Sequence, residues 1–270
     1  ATTPWSQQSY IKASNNEASD SFGGSVSISV DTIAVGATGE DSNQITITNS
    51  TAGSSDNSNS ASGGAYVYKR SGTSWAQEAY IKASNNDASD PFGASISIDI
   101  DTIAVGATGE DSGTIAIING MTSEADNDNS SSGAAYVYKR YGNFWIQEAY
   151  IKAVNSDNDS NFGHSVYIDG DTLAVSAIGE DSVFDNITNG TSSSDNDSSS
   201  NSGAVFVYKR TGTSWAQEAY IKAGNSDNDS QFGYSVSLDG ETLVVGAPYE
   251  DSDVTTITNG TSVPDNVSFN

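Results

Sequence analysis

Apolar and polar residues alternate with period two in short runs along this chain, and sustained helical periodicity is nearly absent. Ser165-Val166-Tyr167-Ile168 alternates, Asp169-Gly170 makes a hairpin turn, and Thr172-Leu173-Ala174-Val175 resumes the pattern. After a long polar loop come Ala204-Val205-Phe206-Val207-Tyr208, a turn at Thr211-Gly212-Thr213, and a run from Trp215 to Ile221. These four runs are labelled strands A, B, C and D.

The same pattern recurs. Phe-Gly stands at Phe22-Gly23, Phe92-Gly93, Phe162-Gly163 and Phe232-Gly233, a spacing of 70 residues each time. Trp5, Trp75, Trp145 and Trp215 keep that spacing, as do Tyr10, Tyr80, Tyr150 and Tyr220. One unit has been copied in tandem. Four strands per unit with tight turns predict an all-β fold of β-propeller-type blades, each of four antiparallel strands. Neighbouring blades cover each other's small sheets, which suits an apolar content of only 35%. The repeat divides a single domain, residues 1–270, into a leading D strand and loop (1–21), three units (22–91, 92–161 and 162–231) and a partial fourth (232–270).

Phe-Gly before strand A and Gly246-Ala247-Pro248 after strand B resemble the FG-GAP repeat of integrin-alpha-type β-propellers. The fuller pattern is similar to secreted bacterial FG-GAP repeat proteins: Gly-Glu-Asp-Ser, an Asn/Ser/Asp-rich loop, Ser-Gly-Ala-Val-Phe-Val-Tyr, then Trp-x-Gln-Glu-Ala-Tyr-Ile-Lys-Ala. The other units read Gly36-Ala37-Thr38, Gly106-Ala107-Thr108 and Ser176-Ala177-Ile178 in place of Gly-Ala-Pro. The family's calcium loop often lies between strands A and B. Here that link is a tight turn such as Asp239-Gly240-Glu241, with no room for such a shell, so that site does not carry over. The resemblance implies an extracellular or cell-surface setting.

The chain opens on a D strand and ends in the loop after the fourth B strand. Residues 61–70 have no counterpart after Asn270, so the last blade lacks one strand. An incomplete blade exposes backbone donors and acceptors that template pairing with another chain. Two readings follow: a polypeptide that continues, or a strand supplied by a neighbour. In the second, Trp5, Tyr10 and Ile11 at one end and Leu243 and Val245 at the other form the assembly edge.

Charge narrows the chemistry. With 10 basic against 35 acidic residues, the formal charge of −25 repels phosphate, which excludes nucleic-acid binding through a basic face. No apolar run approaches the ~20 residues of a spanning helix, so membrane insertion is not expected. There is no Cys for a disulfide, a zinc-thiolate site or a thiol nucleophile. The opening Ala1-Thr2-Thr3-Pro4 carries no signal-peptide pattern.

Since strands alternate in direction, the D-to-A and B-to-C loops share one face of each blade, which gathers most of the acids. Calcium is the cation that would screen such a face. Asp157, Asp159 and Asn161, and in the next unit Asp227 and Asp229, place oxygens at alternate positions. Glu180-Asp181 and Glu250-Asp251 on the adjacent loop could complete a shell. A solvated acidic surface is the competing reading. Asn-x-Ser/Thr sequons fall in phase at Asn49, Asn189 and Asn259, candidate glycosylation sites on the long loop.

Catalysis is not expected. Carboxylates are too numerous for any pair to be informative, no serine has a nucleophile-elbow context, and phosphate-binding glycine loops are absent. The one histidine, His164, occupies a position held by Gly24, Ala94 and Tyr234 elsewhere and reads as an exposed ornament. The repeating Trp and Tyr residues read as blade packing. The sequence thus predicts a non-enzymatic extracellular structural or adhesive protein, self-associating as a homo-oligomer or filament. The alternative is a glycan- or protein-binding module of a longer surface protein.

Overall fold

The computed structural model describes residues 4–124, 126–194, 196–253, 255, 257 and 259–260; the end of the partial fourth unit, 261–270, lies outside them. The described chain is all-β. Blade 1 comprises β1 (Phe22–Ser29), β2 (Thr32–Ala37), β3 (Gly64–Ser71) and β4 (Ser74–Ile81). Blade 2 follows with β5 (Ser95–Asp99), β6 (Thr102–Ala107), β7 (Ile117–Asn119), β8 (Ala134–Tyr141) and β9 (Phe144–Ile151). Blade 3 holds β10 (Phe162–Asp169), β11 (Thr172–Ala177), β12 (Ile187–Asn189), β13 (Ala204–Thr211) and β14 (Ser214–Ile221). Among the described residues blade 4 comprises β15 (Ser235–Asp239) and β16 (Thr242–Gly246).

Strands A to D pair in sequence order and antiparallel, as the alternation predicts. Two details differ from that reading. In blades 2 and 3 the long loop returns a short fifth strand, β7 or β12, to the outer edge of strand D. In blade 1 the same place is marked by a single bridge from Thr48 to Tyr80. The hairpin turn is also one residue later: β10 ends at Asp169, and Gly170 carries the left-handed φ of +57°. Val30 and Ile100 hold that place in blades 1 and 2 at +54° and +51°, where a β-branched side chain is strained.

A bulge recurs in the C–D pair. Val67 faces Ala79 and Tyr68 faces Gln77, so Glu78 is the extra residue; Glu148 and Glu218 are its copies. Such a bulge re-aims the side chain it releases.

The core lies between blades rather than within them. One cluster joins Val67 and Ile81 of blade 1 to Ile96, Ile98 and Trp145 of blade 2, and a second repeats it between blades 2 and 3. Phe92 and Phe162 are fully buried, edge-on to Tyr136 and Tyr138 and to Phe206 and Tyr208 respectively. Backbones approach closely at the glycines. A Cβ on Gly36 would lie 2.2 Å from the carbonyl oxygen of Gly93, and one on Gly106 would lie 2.0 Å from that of Gly163.

The leading segment does not pair as a strand: residues 4–13 are irregular. Ile11 and Ala13 nevertheless pack on blade 1, as Ile81 and Ala83 pack on blade 2.

Candidate functional site

Blades 1, 2 and 3 each carry the same buried polar cluster. Lys152 and Glu110 form an ion pair with Nζ 2.6 Å from Oε2, their side chains 0% and 2% exposed. Lys152 also donates to Ser132 Oγ at 2.6 Å, while Tyr150 and Asn85 donate to Glu110 Oε1, each at 2.8 Å. Lys82 with Glu40 and Lys222 with Glu180 repeat the arrangement. Burial pulls these three amines below the ordinary lysine value while the facing carboxylates oppose it. Asn15, Asn85 and Asn155 reach these glutamates from the preceding D-to-A loop, so the network ties one unit to the next.

A second latch lies at the outer edge. The indole Nε1 of Trp145 donates to Glu78 Oε2 at 3.0 Å, and Arg140 pairs with the same carboxylate at 3.3 Å while stacking on the Trp145 ring. Asn49 clamps the Trp145 backbone, accepting its N–H at 2.7 Å and donating to its carbonyl at 3.2 Å. Between blades 2 and 3, Trp215, Arg210, Glu148 and Asn119 repeat this. The bulge is what turns Glu78 and Glu148 toward the next blade.

The two ends of the array lack these partners. Val26 and Ile28 on β1 are 66% and 63% exposed, whereas Ile96 and Ile98, Val166 and Ile168, and Val236 and Leu238 are buried against the blade before them. Among the described residues no blade covers this face of blade 1. At the other end Val244 is 64% exposed, where Ala34, Ala104 and Ala174 are fully buried. Leu243 and Val245, assigned to the assembly edge from the sequence, lie on β16, which among the described residues pairs only with β15, and their side chains pack into the cluster between blades 3 and 4. Strand alternation puts Val244 on the open face. Trp5 and Tyr10 are exposed, while Ile11 is packed against blade 1.

A family model described as FG-GAP repeat matches residues 5–68, 75–138 and 215–262. The chain belongs to the FG-GAP repeat family. A search of curated proteins returns no match. FG-GAP repeats are generally non-enzymatic and usually occur in extracellular or surface proteins, as modules of extracellular or adhesion type. Between the second and third matches the structure carries the same register through β10, β11 and β13.

Several acidic loop residues of this FG-GAP array are engaged within the fold. Glu180 is a buried partner of Lys222, Tyr220 and Asn155 rather than an exposed calcium ligand, because the lysine after strand D folds back onto it. Glu250 accepts from Asn225 Nδ2 at 2.6 Å and from Ser252. Asp181 Oδ1 accepts the Asn201 N–H at 2.6 Å, closing the B-to-C loop on itself, as Asp41 and Asp111 do for Ala61 and Ser131. Asp251 is exposed.

Asp159, Asn161 and Asp229 adopt left-handed φ values of +59°, +53° and +60°, which Asn and Asp tolerate best among residues with a side chain. Their backbones dock on the preceding blade: Asp159 N donates to Ser130 O at 2.8 Å, and Asp229 N to Ser200 O at 2.7 Å. Asp157 and Asp227 lie on the same loops. Among the described residues no group of three or more His, Asp or Glu side chains is gathered as a metal shell.

The sequons divide. Asn49 spends its amide on the Trp145 backbone, whereas Asn189 and Asn259 are exposed. His164 is not an ornament: it is half-buried, 5.0 Å from the Tyr234 ring across the junction of blades 3 and 4, and burial lowers its pKa. Neither the latch nor the bulge behind it was read from the sequence. The signal was present in Glu78, Glu148 and Glu218 keeping the same 70-residue phase as the tryptophans.

Proposed function

We infer that the chain is a non-enzymatic extracellular structural or adhesive module that self-associates end to end through its terminal blades. The observation that carries this is the exposure of Val26 and Ile28 on β1, apolar positions buried in the three blades that have a predecessor. The two ends also complement each other in hydrogen bonding. Ile100, Gly170 and Gly240 donate their backbone N–H to Ser29, Asp99 and Asp169 of the blade before. Val30 holds the donor position at one end of the array and Asp239 the acceptor position at the other.

A contact between two different faces of one molecule is heterologous, and where its rotation does not close it builds a filament. A formal charge of −25 per chain makes lateral neighbours repel, which favours growth along the array axis over bundling. Sedimentation velocity at physiological salt over a wide concentration range tests the reading. The wild-type chain is expected to grow beyond its 28.0 kDa monomer with concentration, and Ile28→Glu, an exposed substitution, to remain a monomer. A wild-type chain that stays at 28.0 kDa throughout overturns it.

A further inference from the structure

We propose that the outer edge of blade 3 is a preformed docking site for the N-terminal segment of a second copy, with Trp5 as the anchor. The proposal rests on the end-to-end reading above and names the residues that would make the contact.

In blades 2 and 3 the indole of strand D is gripped by a glutamate and an asparagine of the blade before. Glu78 and Asn49 hold Trp145; Glu148 and Asn119 hold Trp215. The next pair in phase is Glu218 and Asn189, and both are exposed. Their setting is already built. The Gly190 N–H donates to the Glu218 carbonyl at 2.6 Å, as Gly120 does to Glu148 at 2.7 Å. Gln217 Nε2 donates to the carbonyls of Gly190 and Ser192, as Gln147 does to those of Gly120 and Thr122. The same bulge releases Glu218. Beside it lies a cavity of about 330 Å³ lined by Thr172, Lys209, Glu218, Ile221, Leu238 and Leu243. Thr172 is the copy of Thr102, which accepts from Arg210 in the filled latch of the blade before.

The occupant is written in the same phase. Trp5 is the first member of the tryptophan series, and it is 104% exposed while Trp145 and Trp215 are 0% and 2% exposed. Gln8, three residues on, holds the place of Glu78 and Glu148 and already accepts the Trp75 indole at 2.9 Å. The segment therefore sits in register on its own blade 1 with its anchor turned out to solvent. Among the described strands no group of contacts joins blade 1 to β14, which carries Glu218, so in this reading Trp5 meets Glu218 between copies.

The test uses the full chain carrying Trp5→Ala as receptor, which silences its own donor. A fluorescein-labelled peptide of residues 1–13 is titrated against it and read by anisotropy. Saturable binding is expected, at least tenfold weaker for the Trp5→Ala peptide and for receptors that also carry Glu218→Ala or Asn189→Ala. Both receptor positions are exposed, and their fold is checked by near-ultraviolet circular dichroism. Equal binding by both peptides, or binding indifferent to Glu218 and Asn189, overturns the proposal. A peptide that binds this site while the wild-type chain stays monomeric supports the site and refutes end-to-end assembly. A Trp5→Ala chain that assembles like the wild type refutes the anchor and leaves stacking intact.

Discussion

At the scale of single residues, the blades depend on buried charges that cannot be removed one at a time. Lys152→Met leaves Glu110 buried without its cation, and breaking a buried pair in this way costs about 3–5 kcal/mol. The double variant Lys152→Met with Glu110→Gln is expected to recover part of that loss in urea denaturation; equal losses in the two would contradict the ion-pair account. Asp90 behaves in the opposite sense. Burial, then the nearby Glu110, Asp111 and Asp87, raise its carboxyl to about 8, well above the unfolded value near 4. The folded state therefore binds the proton more tightly, and stability from the protonated form is lost as pH rises from about 4 through about 8. Asp90→Asn is expected to raise the melting temperature at pH 8 and leave it near wild type at pH 4, measured by thermal denaturation. A shift of equal size at both pH values would contradict this. Ser160 and Ser230, both buried, hold the same place in the later units, so a neutral residue fits there.

At the scale of strands and turns, the sequence disclosed the period-two alternation, the four-strand unit and the copying of that unit, because each rests on local pattern. The fifth strand escaped it because Ile117–Asn119 and Ile187–Asn189 are short and sit inside polar loops, where pairing is decided by the D strand alongside. The burial of Glu180 escaped for a different reason. Gly-Glu-Asp-Ser looks like surface chemistry until the lysine of Tyr-Ile-Lys-Ala, 42 residues later, is placed over it. The blade spacing is set by glycine: at Gly106 there is no room for a side chain beside the Gly163 carbonyl. Gly106→Val is expected to cost about 1–3 kcal/mol by overpacking this contact, read from the shift in urea midpoint. Gly106→Ser should cost less, since Ser176 occupies that place in blade 3, its Oγ accepting the Ser165 N–H at 2.9 Å. A valine tolerated as well as serine would mean that the blades are not in rigid contact.

At the scale of the whole molecule, shared cores explain how a chain with 35% apolar content builds large buried clusters, and also why its ends are unsatisfied. Each blade buries its neighbour's face, so the first and last faces remain apolar wherever the count stops. That residues 1–21 and 232–270 are partial units was legible in the sequence; which residues are exposed was not. Leu243 and Val245 lie on the edge strand β16 with their side chains turned inward, and it is Val244 that the alternation presents to solvent. The leading segment was expected as a strand, and it lies unpaired with Trp5 in solvent. The most direct measurement of the central claim is negative-stain electron microscopy of the wild-type chain beside Ile28→Glu. The account predicts linear or curved chains of repeating particles for the wild type and isolated particles for the variant. Isolated compact particles in both would contradict it.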